Sequence, residues 1–257
     1  LVSIMTEFRH RIFETLVTTY DTEIPHVGVA LYTPAMVDMD YWLGAVHDTS
    51  SVIGDVGVDA FSLPQTGIAQ QIELMEMIQH LNPGRCHMFV SYCPWRQVDD
   101  EARGKTPTAL DLVRDAVLNR GFLGVKLYPP MGFLPIGNAE LPVEAYPAWA
   151  AQESYAGEFG VRLDEALRAL YRFCIEHDVP VMAHCAPTNS AGTSLVAGRN
   201  ESYAQRAHPF GWARLMSEPE FAGLRLNLSH FGGARKPAVR AEWQSVIGQM
   251  MDAHPNV

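Results

Sequence analysis

Five short apolar runs set the rhythm of this chain: His26 to Tyr32, Cys86 to Tyr92, Phe122 to Tyr128, Val179 to His184 and Leu224 to His230. Each has the length and composition of a strand buried on both faces. Several stop at residues that cannot continue a sheet ladder, such as Thr33-Pro34, Cys93-Pro94 and Pro129-Pro130. Between the runs, apolar positions recur at helical spacing. A first amphipathic helix is predicted over about 4–17 (Met5, Phe8, Ile12, Leu16), and a second over 68–81 (Ile72, Met75, Ile78), stopped by Asn82-Pro83-Gly84. Thr108 is suited to cap a helix running to Arg120, with Gly121 as its stop. From Asp164 the face Leu167, Leu170, Tyr171, Cys174, Ile175 predicts another helix, followed by a short one around Trp212 and Leu215. Pro237 opens the last, with Val239, Trp243, Val246, Ile247 and Met250 inward.

Strand alternating with amphipathic helix predicts an α/β protein with a parallel sheet. Lys126, His184 and His230 all fall at carboxyl ends of predicted strands, and long loops follow two of those ends, at about 131–163 and 186–207. That is the arrangement of a (β/α)8 TIM-type barrel. An open doubly wound sheet usually carries a Gly-rich phosphate loop after its first strand, and none occurs here. The whole of 1–257 reads as one domain, with a long loop or small insertion at about 131–163. The chain opens on Leu1 and stops at Pro255-Asn256-Val257, where another strand would begin, so it reads as an incomplete barrel.

Composition narrows the classes. A chain of 257 residues, 47% hydrophobic and 19% charged, has ordinary soluble globular character. Its formal charge of -10 disfavours a nucleic-acid partner, since both surfaces would be negative. No apolar run reaches transmembrane length and no signal-peptide pattern is found. Cys86, Cys93, Cys174 and Cys185 form no CxxC pair, which suits reduced thiols and a cytoplasmic location.

The segments Gly124-Val-Lys-Leu-Tyr-Pro-Pro-Met-Gly132, Val179-Pro-Val-Met-Ala-His184-Cys185 and Leu226-Asn-Leu-Ser-His230-Phe-Gly-Gly233 resemble the amidohydrolase superfamily, within it the amidohydrolase-related branch that also contains decarboxylases. The phrase Leu31-Tyr-Thr-Pro-Ala-Met-Val-Asp-Met-Asp40 is similar to that family's second-strand segment. The resemblance implies a metal-dependent barrel in which Lys126, His184 and His230 end strands four, five and six, so that the chain holds about strands two to six and the start of strand seven. In that family a His-x-His pair ends strand one and an aspartate ends strand eight. Neither is present among the ten histidines and the C-terminal residues of this sequence, which again reads as truncation at both ends.

Neutral imidazoles are standard ligands for zinc and similar metals, so His184 and His230 are candidate ligands of one or two divalent ions. A lysine in an apolar strand must be paired, neutral or modified. The resemblance implies that Lys126 is carboxylated and bridges two metals. Lys126, His184 and His230 are thus the expected catalytic and metal residues, with Arg199, Arg206, Arg96 and Tyr128 as candidate contacts to a small-molecule substrate. Asp38 and Asp40 lie near the expected barrel mouth, where helix capping is the simpler use, and Cys185 points away from His184. The implied reaction is hydrolysis of an amide, lactone or related ester. A metal-dependent decarboxylase is its sibling, and a Schiff-base lyase at Lys126 or a non-catalytic barrel relative are readings from other classes. A homo-oligomer is left open.

Overall fold

A computed structural model describes residues 9–23, 28–38, 67–142, 145–146, 158–187 and 204–257. Four short strands form one parallel sheet: β1 (Phe89–Ser91), β2 (Gly124–Leu127), β3 (Val181–His184) and β4 (Leu226–Ser229). Their spatial order follows the chain, β1-β2-β3-β4, without the reversal that marks a doubly wound sheet. The helices are α1 (Arg9–Thr18), α2 (Ile68–Leu81), α3 (Pro94–Ala102), α4 (Ala109–Asn119), α5 (Phe159–Glu176), α6 (Pro209–Ser217) and α7 (Pro237–Ala253). None is long and apolar enough to cross a membrane.

Strand register divides the sheet into two unlike faces. Val90, Val125, Val181 and Leu226 are paired across it in one row, and Leu127, Ala183 and Leu228 in another. All seven are buried and belong to the same apolar cluster as Val113 and Ala116 of α4 and Leu163, Leu167 and Leu170 of α5. Because successive side chains alternate between faces, the rows between them point the other way. One such row is Ser91, Lys126, Met182 and Asn227; His184 and Ser229 form the next.

The predicted helices are present where local chemistry is strong. At α4 the Thr108 hydroxyl accepts from the Asp111 amide at 3.3 Å while the Asp111 carboxylate accepts from the Thr108 amide at 3.0 Å, a reciprocal capping box. Gly121, at φ 75°, turns the chain into β2. Helix α5 begins at Phe159, five residues ahead of its expected start, so Asp164 lies inside it rather than before it. Asp164 there anchors the loop after β2: Asn138 is fully buried and donates from Nδ2 to Asp164 Oδ1 and to the Leu134 carbonyl, both at 2.9 Å. The described part of the 131–163 segment is therefore not an open loop: Phe133, Ile136 and Asn138 are buried, and it is tied to α5 through Asp164 and through the Tyr171 hydroxyl, which donates to the Pro135 carbonyl at 2.9 Å.

Two expectations are corrected. Thr33-Pro34 does not end a strand over 26–32; isolated parallel bridges join Tyr32 to Cys86 and Ala35 to Phe89, with the Phe89 amide donating to the Pro34 carbonyl at 2.8 Å. Proline lacks a donor but keeps its acceptor, so it is tolerated there; residues 26 and 27 lie outside the described residues. Helix α3 was not expected. It has few apolar positions, and its buried polar side chains are held by partners: Gln97 Oε1 accepts from the Leu110 amide at 2.7 Å, and Asp99 is bound by Arg103 and by Lys105. At the far side, the Leu226 amide donates to the Asn256 carbonyl at 2.9 Å, so the chain after α7 returns beside β4, as the sequence predicts.

Gly124 allows the closest approach in the sheet. A Cβ there would lie 2.4 Å from the Pro180 carbonyl oxygen and 2.6 Å from the Phe89 ring. Gly124→Ala is expected to cost about 1–3 kcal/mol. Gly248→Ala on α7, where a Cβ meets nothing within 4 Å, should be neutral or stabilising. Urea denaturation of the two variants beside the wild type checks this.

Candidate metal centre

Lys126, Tyr128, His184 and His230 come together at the carboxyl ends of β2, β3 and β4. Lys126 lies in the inner row of β2, only 6% exposed. Among the described residues no carboxylate pairs with it, and burial alone lowers its ammonium pKa to about 8. Two residues further on, the Tyr128 ring lies 4.6 Å from that of His184, centroid to centroid. The His230 ring lies 4.7 Å from His184 on the side of β4. His184 is thus flanked by rings from both neighbouring strands.

His184 is buried, and its Nε2 has no hydrogen-bond partner among the described residues. Burial lowers its pKa to about 3, aided by His230 and by the Lys126 charge and opposed by a hydrogen bond with the Ala186 backbone. His230 sits exposed at the rim, and desolvation followed by Lys126 lowers its pKa as well. Both imidazoles are therefore neutral near neutral pH, the form that binds metals.

The backbone that presents His230 is strained. His230, Phe231 and Gly232 have φ of 71°, 46° and 65°, three left-handed residues in succession, of which only the glycine adopts that region freely. Each non-glycine left-handed residue costs about 1–3 kcal/mol and persists only where the surroundings over-determine it. Here the Gly232 amide donates to the Cys185 carbonyl at 2.9 Å, and Gln244 Nε2 donates to the Phe231 carbonyl at 3.1 Å. A Cβ on Gly232 would lie 2.7 Å from Trp243 Cβ, so the close approach of the turn to α7 requires glycine.

The other expected residues fall elsewhere. Asp38 does not cap a helix among the described residues; Arg96 donates to it bidentately, at 2.6 and 2.9 Å, and the Asp38 amide donates to Ser91 Oγ at 2.8 Å. This buried pair lies beside the Lys126 row, because Ser91 is paired with Lys126. Arg206 is buried, with Nη2 donating to the Ala145 carbonyl at 2.7 Å and its guanidinium 6.0 Å from the Tyr146 ring. Cys185 is fully buried, and burial raises its thiol to about 12. Arg199 and Asp40 lie outside the described residues. Sequence reasoning missed the Tyr128–His184 contact and the Asp38–Arg96 pair; a two-residue step from Lys126 was the only signal for the former.

A metal fits the two imidazoles, because a buried Nε2 without a hydrogen-bond partner among the described residues lies in a ring beside a second neutral one. Among the described residues no group of three His, Cys, Asp or Glu side chains is placed to hold an ion.

Residues 97–257 match the family model described as Amidohydrolase. The match spans more than half of the chain and includes Lys126, Tyr128, His184 and His230, and the chain belongs to this amidohydrolase family. No curated protein matches the chain.

The pH dependence of stability follows from His184. Its folded pKa is depressed from 6.5 to about 3, so below about pH 6.5 the unfolded chain takes up a proton that the native site refuses. Stability should fall as pH drops from 6.5 towards 3. Urea midpoints measured between pH 7 and 4 should decline less steeply in His184→Asn than in the wild type; an equal slope would show that native His184 protonates normally.

Proposed function

We propose that this chain folds as a (β/α)8-type barrel that hydrolyses an amide, lactone or related ester bond of a small molecule with the help of a divalent metal, zinc by the chemistry of the donors. The observation that carries this reading is the buried His184 Nε2, without a hydrogen-bond partner among the described residues, in a ring 4.7 Å from that of His230 and near a buried Lys126 that no described carboxylate pairs, in a chain of the amidohydrolase family. The strand order, running with the chain and never reversing, supports barrel winding.

His184 and His230 would hold the metal, with Lys126 as a third ligand once carboxylated. When bound, such a metal lowers the pKa of water and polarises a carbonyl. The protein's own part is to keep both imidazoles deprotonated by burial and by the nearby lysine. Lys126 supplies an amine whose charged form is disfavoured; its Nζ attacks the carbon of carbon dioxide and releases a proton, giving a carbamate that carries negative charge. Burial on the inner face shields that group from water. The buried, reduced cysteines support a cytoplasmic setting.

Two other readings share these residues. A decarboxylase of the same branch would use the same ligands, and carbon dioxide release separates it from a hydrolase. Lys126, with a depressed pKa and no paired carboxylate among the described residues, also suits a Schiff-base lyase, in which the neutral amine attacks a carbonyl. Borohydride trapping of a substrate adduct at Lys126 would favour that reading.

Elemental mass spectrometry of protein purified without chelator, beside Lys126→Ala, tests the main reading. About two metals per chain, falling in the variant, is the result expected of a carbamate-bridged pair. About one metal, unchanged in the variant, removes Lys126 from the ligand set, and no metal after reconstitution rejects the reading.

A further inference from the structure

We propose that Tyr128 is a positioning residue that fixes the direction of the His184 imidazole, rather than a contact to substrate. This rests on the metal-dependent reading above and deepens it. The proposal starts from what holds the His184 ring. Its Nε2 has no hydrogen-bond partner among the described residues, so that edge of the ring is not oriented by any bond there. The hydrogen bond with the Ala186 backbone leaves the plane of the ring to be set by packing.

That packing comes from two aromatic neighbours of unequal firmness. His230, at 4.7 Å and an interplanar angle of 63°, is exposed and stands on the left-handed turn that ends β4. Tyr128, at 4.6 Å and 49°, stands on a braced backbone. Its carbonyl accepts from the Met131 amide at 3.0 Å as the chain enters the short 3-10 turn Pro129–Met131, and the Gly132 amide closes on the Pro129 carbonyl at 3.0 Å. Two prolines fix φ directly after Tyr128, and a tyrosine has only two side-chain torsions to settle. The ring is half-buried against the apolar core, so its face is a wall rather than a mobile lid. The contact lies within the range of specific aromatic pairing, 4.5–7 Å between centroids.

A ligand that is free to rotate binds metal less tightly than one already pointing at the ion, and loss of an orienting partner outside the ligand set typically weakens binding about 10–100-fold. The contact to His184 is one between rings, and a ring contact is kept by phenylalanine, which separates this role from that of a hydrogen-bonding substrate contact.

The test is zinc affinity of the full chain, stripped of metal and titrated against a chromophoric chelator, for the wild type, His184→Ala, Tyr128→Phe and Tyr128→Leu, with thermal midpoints taken alongside. Tyr128→Leu is expected to bind zinc about tenfold to a hundredfold more weakly while still unfolding in one cooperative thermal transition well above the assay temperature, whereas Tyr128→Phe keeps the ring and should match the wild type. Wild-type affinity in Tyr128→Leu, with binding lost in His184→Ala, overturns the positioning role and leaves the metal site standing. An equal loss in Tyr128→Phe, which needs no refolding of the core, assigns the effect to the hydroxyl and overturns it also. A wild-type chain that takes up no zinc rejects the metal reading itself, and the positioning role with it.

Discussion

Because Val90, Val125, Val181 and Leu226 must all face the helices, Ser91, Lys126, Met182 and Asn227 must all face the opposite way. A strand has a side-chain period of two, so a slip of one residue in any pairing would bury the polar row against α4 and α5 and expose the valines. The apolar face thus holds the register, and the register holds the site. Gly124 contributes by letting β2 lie close to the Pro180 carbonyl under the Phe89 ring, a separation that no side chain permits.

The polar face is expensive, and part of that cost falls where chemistry is proposed. A buried ammonium with no counter-charge, and a buried imidazole with a nitrogen lacking a hydrogen-bond partner, among the described residues each oppose folding. Two residues in left-handed conformation add strain at His230 and Phe231. By contrast, other buried polar groups nearby are satisfied: Asp38 by Arg96, Gln97 by Leu110 and Glu101, Asn138 by Leu134 and Asp164. Among the described residues, His184 Nε2 and the Lys126 ammonium have no such partner, which keeps them available for a ligand.

The surroundings of the pair also have a rigid side and an open side. Towards β1 and β2, Ser91 and Lys126 are buried, and the Asp38–Arg96 pair closes that end. Towards β4, Asn227 and His230 are exposed. The Asp38–Arg96 pair is bidentate, which fixes geometry as well as charge. Its effect is to brace the 34–38 segment, already bridged to β1, against α3.

Much of this was legible in the chain. The four strand cores, the capping box at Thr108, the stop at Gly121 and the proline start of α7 follow from local propensity and period, and so does the placing of Lys126, His184 and His230 at strand ends. The family resemblance rested on those same strand ends. What the sequence could not reveal depends on partners far apart along the chain. Helix α3 has only a short apolar face, Trp95 and Val98, and its buried Asp99 and Gln97 find partners in residues that follow it. Pro34 looks like a stop, yet its carbonyl is used by Phe89 across 55 positions (89 minus 34). Arg96 and Arg206 look like free cations, but Asp38 and the Ala145 carbonyl engage them. Sequence period determines which face a side chain takes; only the tertiary structure decides which side chains then meet, because hydrogen bonds, ion pairs and ring contacts between distant segments leave no periodic trace.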